Sequence, residues 1–366
     1  MPIQQLISLM TQIALPLFFA FFSGWLFTKG VIKLAPHFQL MDDPRRKHPA
    51  ILHRRPVARG GGLPLFLSFF LTTFLFLPRS AYLLAIWAGS FINVLVGTID
   101  DRVDLSPKIR LFVTLPLATL PVILAGINMT VSNPLGNGII SFRWIPLNLS
   151  FLPATVYLPE ALLLMFWIIW MCNVVNWTKG ASQLPGIAVV AFLALGGVSL
   201  KYQAGNPHQI ETAQLSLILA AGSLAFLPFN FPPERIFPGF GGSTFIGFNL
   251  AVLSVLSGGK LAAALLVLGI PVVDMFLSFA RRIREGKNPL YGDRGHLYHL
   301  FLDLGLTKKQ VIVVYWLITL GLGFFALGLE REKKLFAIVF VFLLTSMIFL
   351  TARWLVGRLP RKTTQT

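Results

Sequence analysis

Charge is scarce in this sequence. Of its 366 residues only 12% are Asp, Glu, Lys or Arg, against about 25% in a soluble domain. Acids are the scarcer kind, with 14 Asp+Glu against 31 Lys+Arg. So few charges cannot cover a solvated surface, which excludes a soluble enzyme, a disordered tail and a nucleic-acid-binding domain, even at a net charge of +17. Cysteine is nearly absent: Cys172 stands alone, so no internal disulfide can form and nothing requires an oxidising compartment. There is no low-complexity tail, no repeat of fixed period and no stretch that reads as a separate soluble domain. A cleavable leader is missing as well. Leu6 to Phe27 is too long for the apolar region of a signal peptide and runs into a basic loop, so it reads as a retained first helix.

What is present is apolar. Hydrophobic residues make up 55% of the chain, 33 of them Phe, and the mean hydropathy is +0.73. At roughly 20 apolar residues per crossing, the chain predicts an all-α polytopic integral membrane protein of about 10–11 transmembrane helices, one transmembrane domain over 1–366. Eleven apolar runs bounded by charge or Pro/Gly clusters mark the spans, at about 5–27, 63–78, 81–97, 109–126, 160–177, 185–200, 212–229, 243–257, 261–280, 311–328 and 335–356. If the loop 29–62 is cytoplasmic and the sides alternate, 24 of the 31 Lys/Arg lie on the cytoplasmic side or at the span ends beside it, and 7 on the other. Basic residues are retained on the cytoplasmic face of membranes, so the N-terminus is expected outside and the C-terminus inside, in the plasma (bacterial inner) membrane. The same split puts ten of the 14 acids on the cytoplasmic side. The long outer loop 127–159 carries no recognisable chemistry.

Four cytoplasmic segments concentrate the polar residues. Asp43-Pro44-Arg45-Arg46-Lys47-His48, followed by Arg59-Gly60-Gly61-Gly62, sets cations beside flexible backbone donors, which suits a phosphate and serves equally as a topology signal. Gly97-Thr98-Ile99-Asp100-Asp101 places two carboxylates where an apolar helix ends. Such a pair must be neutralised or bind a cation, either as a metal site or general base, or as a solvated helix end paired with Arg102. Asn173 and Asn176 share a helix face and could bind a sugar or nucleotide amide, or simply a neighbouring helix. Asp293-Arg294-Gly295-His296-Leu297-Tyr298-His299, in a loop opened by Arg281, Arg282 and Arg284, could clamp a diphosphate or be an ordinary basic loop.

In this order and on one side of the membrane, the four segments resemble the polyprenyl-phosphate N-acetylhexosamine-1-phosphate transferase family (glycosyltransferase family 4), from about residue 40 to 315. Leu227-Pro228-Phe229-Asn230-Phe231-Pro232-Pro233, Pro271-Val272-Val273-Asp274 and Leu302-Asp303-Leu304-Gly305-Leu306-Thr307 carry the likeness further. The resemblance implies a membrane transferase with a cytoplasmic active site in loops at about 29–62, 98–108, 176–185, 230–243 and 281–310. It would move HexNAc-1-phosphate, GlcNAc-type in preference, from a UDP-sugar to undecaprenyl phosphate with Mg²⁺ and release UMP, for cell-wall or surface polysaccharide synthesis. A homodimer is implied too. Asp100 and Asp101 take the catalytic and metal positions. Arg46, Lys47, His48, Asn173, Asn176, Lys179, Arg294, His296 and His299 take the substrate.

The sequence departs from the family at three acids. After Asn-x-x-Asn the family reads Asp-Gly-x-Asp-Gly-Leu; here Lys179-Gly180-Ala181-Ser182-Gln183-Leu184 stands. The family's Phe-x-Gly-Asp-x-Gly-Ser, whose Asp binds the metal, is Phe237-Pro238-Gly239-Phe240-Gly241-Gly242-Ser243. Tyr298 stands where a histidine is usual. Phe cannot bind Mg²⁺, which demands oxygen, and the site becomes about four charge units more positive. Lys179 would then stand in for the metal's charge. Three readings stay open: a transferase with an altered mechanism, an inactive relative that binds polyprenyl phosphate or nucleotide sugar or partners an active paralogue, and a lipid-linked sugar transporter. The last draws on Asp274 within a span, for which an ion pair with Arg281 is the structural alternative.

Overall fold

Backbone N–H and C=O groups in lipid must be satisfied within the chain, so long runs of Leu, Phe, Ile and Val become helices. The computed structural model describes residues 10–45, 53–132, 138–147, 155–180, 182–202, 208–257, 261–288, 295–329 and 331–358. In chain order the helices are α1 (Leu15–Leu34), α2 (Gly62–Phe76), α3 (Ala81–Val103), α4 (Pro107–Leu124, with a π turn), α5 (Leu158–Thr178), α6 (Leu184–Lys201), α7 (His208–Asn230), α8 (Gly239–Leu256), α9 (Leu261–Val267), α10 (Gly269–Arg284), α11 (Leu297–Asp303), α12 (Lys308–Gly328) and α13 (Arg331–Arg358). The extended segments are two-residue hairpin rungs, such as Met41–Asp42 against Val57–Ala58.

Where they fall on described residues, the eleven apolar runs are mostly helical. Among the described residues nine helices are long and apolar enough to cross a membrane, and ten if α9 and α10 form one broken span. That pair bends by 78°, with Gly269 and Pro271 at the break, where backbone freedom and a missing donor end one helix and start another. Helix α2 is apolar but, at 15 residues, shorter than those nine. Leu77 precedes Pro78 and is extended (φ −111°, ψ 148°), as the proline ring demands of its neighbour.

The bundle is organised around α8, 94% of which is buried, whereas α1 and the C-terminal α13 are only 28% buried. Small residues let other helices approach its backbone, the usual packing device where burial of apolar surface gives no gain over lipid. A Cβ on Gly97 of α3 would lie 2.1 Å from the Gly241 Cα, and one on Gly247 would lie 2.7 Å from the Cys172 Cα on α5. Glycine is therefore required at both crossings. These contacts set the C-terminal ends of α3 and α5 beside the N-terminal end of α8.

Candidate active site

At that shared end, α3 delivers Asp100 and Asp101 in its last turn, 3% and 4% exposed. Asp100 Oδ1 accepts hydrogen bonds from Arg110 Nε at 2.6 Å and from the Leu105 N–H at 3.1 Å. The same guanidinium donates to Asp104 at 2.8 Å. Arg110, in the first turns of α4, is thus the partner of the pair, and Arg102 is not: it donates to Gln39 instead. The reason is helical geometry, since residues two apart point to opposite sides.

Asp101 caps α8. Its Oδ1 accepts the Phe240 N–H at 2.9 Å, meeting one of the donors that a helix start leaves without an internal partner. The carboxylate lies so close to Gly239 that a Cβ there would stand 1.9 Å from Oδ2, and Gly239 has φ +68°. Oδ2 is buried, with no hydrogen-bond partner among the described residues. Arg59, from the basic-glycine segment, donates to the Asp101 carbonyl at 3.3 Å, so the first and second motifs meet.

The third motif joins them through Asn176. Its Oδ1 accepts from Lys179 Nζ at 2.7 Å and from Ser243 Oγ of α8 at 2.8 Å. Burial pushes the Lys179 ammonium down to about 8; Asp101 and Asp100 oppose that shift, and Arg59 and Arg110 reinforce it. Asn173 donates to the Ile169 carbonyl of its own helix. Ser182 donates to Glu234 at 2.9 Å, and Glu234 is ion-paired with Lys308. Phe240 is 3% exposed, with the Arg110 guanidinium 5.2 Å from its ring centre.

The His segment closes the cluster. Its His296 packs edge-on against Trp177 at 5.8 Å, and the Tyr298 hydroxyl lies against Gly180, where a Cβ would come within 2.1 Å of it. Asp274 does not pair with Arg281. It meets His296 Nδ1 at 3.1 Å and accepts the Leu297 N–H at 2.8 Å, while Arg281 reaches Glu285 at 3.5 Å. The short salt bridge follows from spacing, because Arg281 and Glu285 are one helical turn apart. His299 is fully buried beside the Tyr298 ring, 4.1 Å between centres. Arg46, Lys47, His48 and Arg294 lie outside the described residues. Arg59, Arg110, Ser243, Glu234 and Lys308 belong to the cluster without having been singled out as site residues, and in sequence a lone arginine beside a span looks like any topology signal.

The residues do not fit Mg²⁺, which takes six oxygens at near-octahedral angles. One oxygen of Asp100 is held by a guanidinium and one of Asp101 by an amide. Position 240 offers a phenyl ring, and the adjacent side chains are cationic. Among the described residues no three His, Cys, Asp or Glu side chains converge as a metal set.

Residues 83–258 match the profile of glycosyl transferase family 4. The chain is 30% identical, over 82% of its own length and 82% of the relative's, to an undecaprenyl-phosphate alpha-N-acetylglucosaminyl 1-phosphate transferase of Haemophilus influenzae. It is 26% identical to a probable undecaprenyl-phosphate N-acetylglucosaminyl 1-phosphate transferase of Bacillus subtilis, over 87% of this chain and 85% of that one. A decaprenyl-phosphate N-acetylglucosaminephosphotransferase of Mycobacterium leprae is 26% identical over 82% and 79%. Likeness of this extent, joined to the described parts of four motif segments that meet at one end of a helical bundle, makes this chain a member of glycosyl transferase family 4.

Proposed function

We propose that this chain transfers HexNAc-1-phosphate, of the GlcNAc type, from a UDP-sugar to a polyprenyl phosphate at the Asp101–Asn176–Lys179 cluster. The observation that carries the reading is the convergence there of the described parts of the four motif segments, in a chain whose relatives are named for that transfer. An oxygen of the lipid phosphate would attack the sugar-linked phosphorus, the bond to the UMP oxygen would break, and UMP would leave. Two anions must approach each other for this, and cationic side chains fixed in advance lower the cost of that approach. Arg59, Arg110 and Lys179 are the cations of the cluster, with Arg110 shared with Asp100 and Asp104 and Arg59 with Asp42, and Asn176, held by Ser243, offers an amide to the donor. The excess of Lys/Arg around this end of the bundle supports a cytoplasmic active face in the plasma membrane.

Asp100 in its Arg110 pair and Phe240 in the ligand position favour a second reading, a chain that binds these substrates without turning them over. UMP release by purified protein with undecaprenyl phosphate and UDP-GlcNAc separates the two. Turnover by the natural sequence establishes the transferase. Turnover only in a Lys179→Asp, Ser182→Asp, Phe240→Asp variant would establish the binder, its scaffold intact and its chemistry lost.

A further inference from the structure

We infer that Lys179 is a built-in replacement for a metal: its ammonium holds a phosphate group at the Asp101–Asn176 cluster, and that site works without a divalent cation. This rests on the reading above that phosphate binds here.

Three observations lead to it. The first is charge. The family pattern puts five carboxylates at positions 100, 101, 179, 182 and 240; one divalent cation would leave about three negative charges. Here two carboxylates and one ammonium remain at those positions, about one negative charge with no metal at all. Asp100 is further neutralised by Arg110, and Glu234, which reaches Ser182, by Lys308. An approaching phosphate therefore meets less repulsion than at a loaded site of the family pattern.

The second is placement. Lys179 is held by Asn176, and Asn176 by Ser243 on a different helix. Two elements thus fix the ammonium near the start of α8, which Asp101 caps and where its Oδ2 is buried, without a hydrogen-bond partner among the described residues. An ammonium has three donor hydrogens, and among the described residues Asn176 takes one. The third is closure. The buried Phe240 ring fills the position of the missing ligand, and Arg110 stacks over it. A ring in that place strengthens nearby electrostatic contacts by excluding water, and it blocks a metal.

The test uses full-length protein in lipid nanodiscs and measures equilibrium binding of undecaprenyl phosphate and, separately, of UDP-GlcNAc, each with Mg²⁺ and with EDTA. The natural protein should bind equally in both conditions. Lys179→Met, which keeps most of the stem and removes the charge, should weaken binding about tenfold to a hundredfold, the worth of a charge-assisted hydrogen bond. A loss confined to the lipid arm or to the nucleotide arm identifies whose phosphate Lys179 holds. The Lys179→Asp, Ser182→Asp, Phe240→Asp variant should bind only with Mg²⁺. Binding by the natural protein that EDTA abolishes, or binding unchanged in Lys179→Met, overturns the inference while leaving the substrate reading intact. If the natural protein binds neither probe, the substrate reading falls and takes the inference with it. Thermal unfolding of each variant shows whether a loss is merely one of folding; should the triple variant not fold, Lys179→Met decides.

Discussion

Lys179 and Phe240 are where side-chain chemistry departs furthest from a metal site, while Asp101 keeps its carboxylate. Asp101 is a cap as much as a candidate reactant, since it accepts the Phe240 N–H. Asp101→Ala should destabilise the protein by about 1–2 kcal/mol through loss of a helix cap, whereas Asp101→Asn keeps an acceptor and should retain most of that stability. Thermal unfolding in detergent measures both, and two variants melting with the natural protein would show that α8 is held by other contacts. Lys179 sets a pH dependence. Its folded value of about 8 lies below the ordinary 10.5, so between those values the unfolded chain binds more protons, and stability from this group rises with pH. Affinity carried by the ammonium runs the other way. It is full below about pH 7 and falls about tenfold per unit above pH 8 as the charge is lost. The groups facing it are Asp101, Asp100, Arg59 and Arg110, and a titration of phosphate binding from acid to alkaline pH reads the outcome. Lys179→Arg stays charged throughout and should give a flat profile; a falling profile in that variant would assign the titration to another group.

Helix crossings decide whether these side chains meet at all. The α3–α8 contact at Gly97 has no room for a methyl group, so Gly97→Ala must push the helices apart. A cost of about 1–3 kcal/mol is the usual result of overpacking, and ligand binding should fall with it because Asp101 leaves the start of α8. Gly321 on α12 has nothing within 4 Å of its would-be Cβ, so Gly321→Ala should lose no stability. Equal melting temperatures for the two variants would contradict the close crossing. The broken pair α9–α10 has its own role. Helix α10 carries Asp274, which holds His296 through Nδ1, and Asp274→Asn should weaken binding or turnover at the site by raising the disorder of that ring. Loss of His296 alone should then have the same effect, and adding Asp274→Asn to it should cost little more, a non-additivity expected of residues acting through one contact.

For the whole molecule, the basic residues set which way it faces. The expected arrangement puts the site and 24 of 31 Lys/Arg on the cytoplasmic side. Trp144 is 70% exposed in the opposite loop, and Lys108 is exposed near the site. In intact cells a membrane-impermeant thiol reagent should label Trp144→Cys and leave Lys108→Cys untouched until lysis; the reverse pattern would invert the topology. Cys172 is buried and should give little background.

The chain by itself determined the membrane class, the apolar runs and the four polar segments, because all three depend on composition and local order: a run of Leu and Phe is helical in lipid whatever lies beside it. Family membership was legible for a related reason, since its signatures are short and contiguous. The partners were not. Arg110 rather than Arg102 neutralises Asp100, Asp274 holds His296 rather than Arg281, and Glu234 answers Ser182 with Lys308 beside it. Each of those pairings bridges separate helices or a helix and the loop beside it, so it depends on how those elements pack and not on local order. Only the tertiary structure could bring α3, α5 and the start of α8 together, because side-chain charge sets what a residue can bind, while backbone proximity sets what it meets.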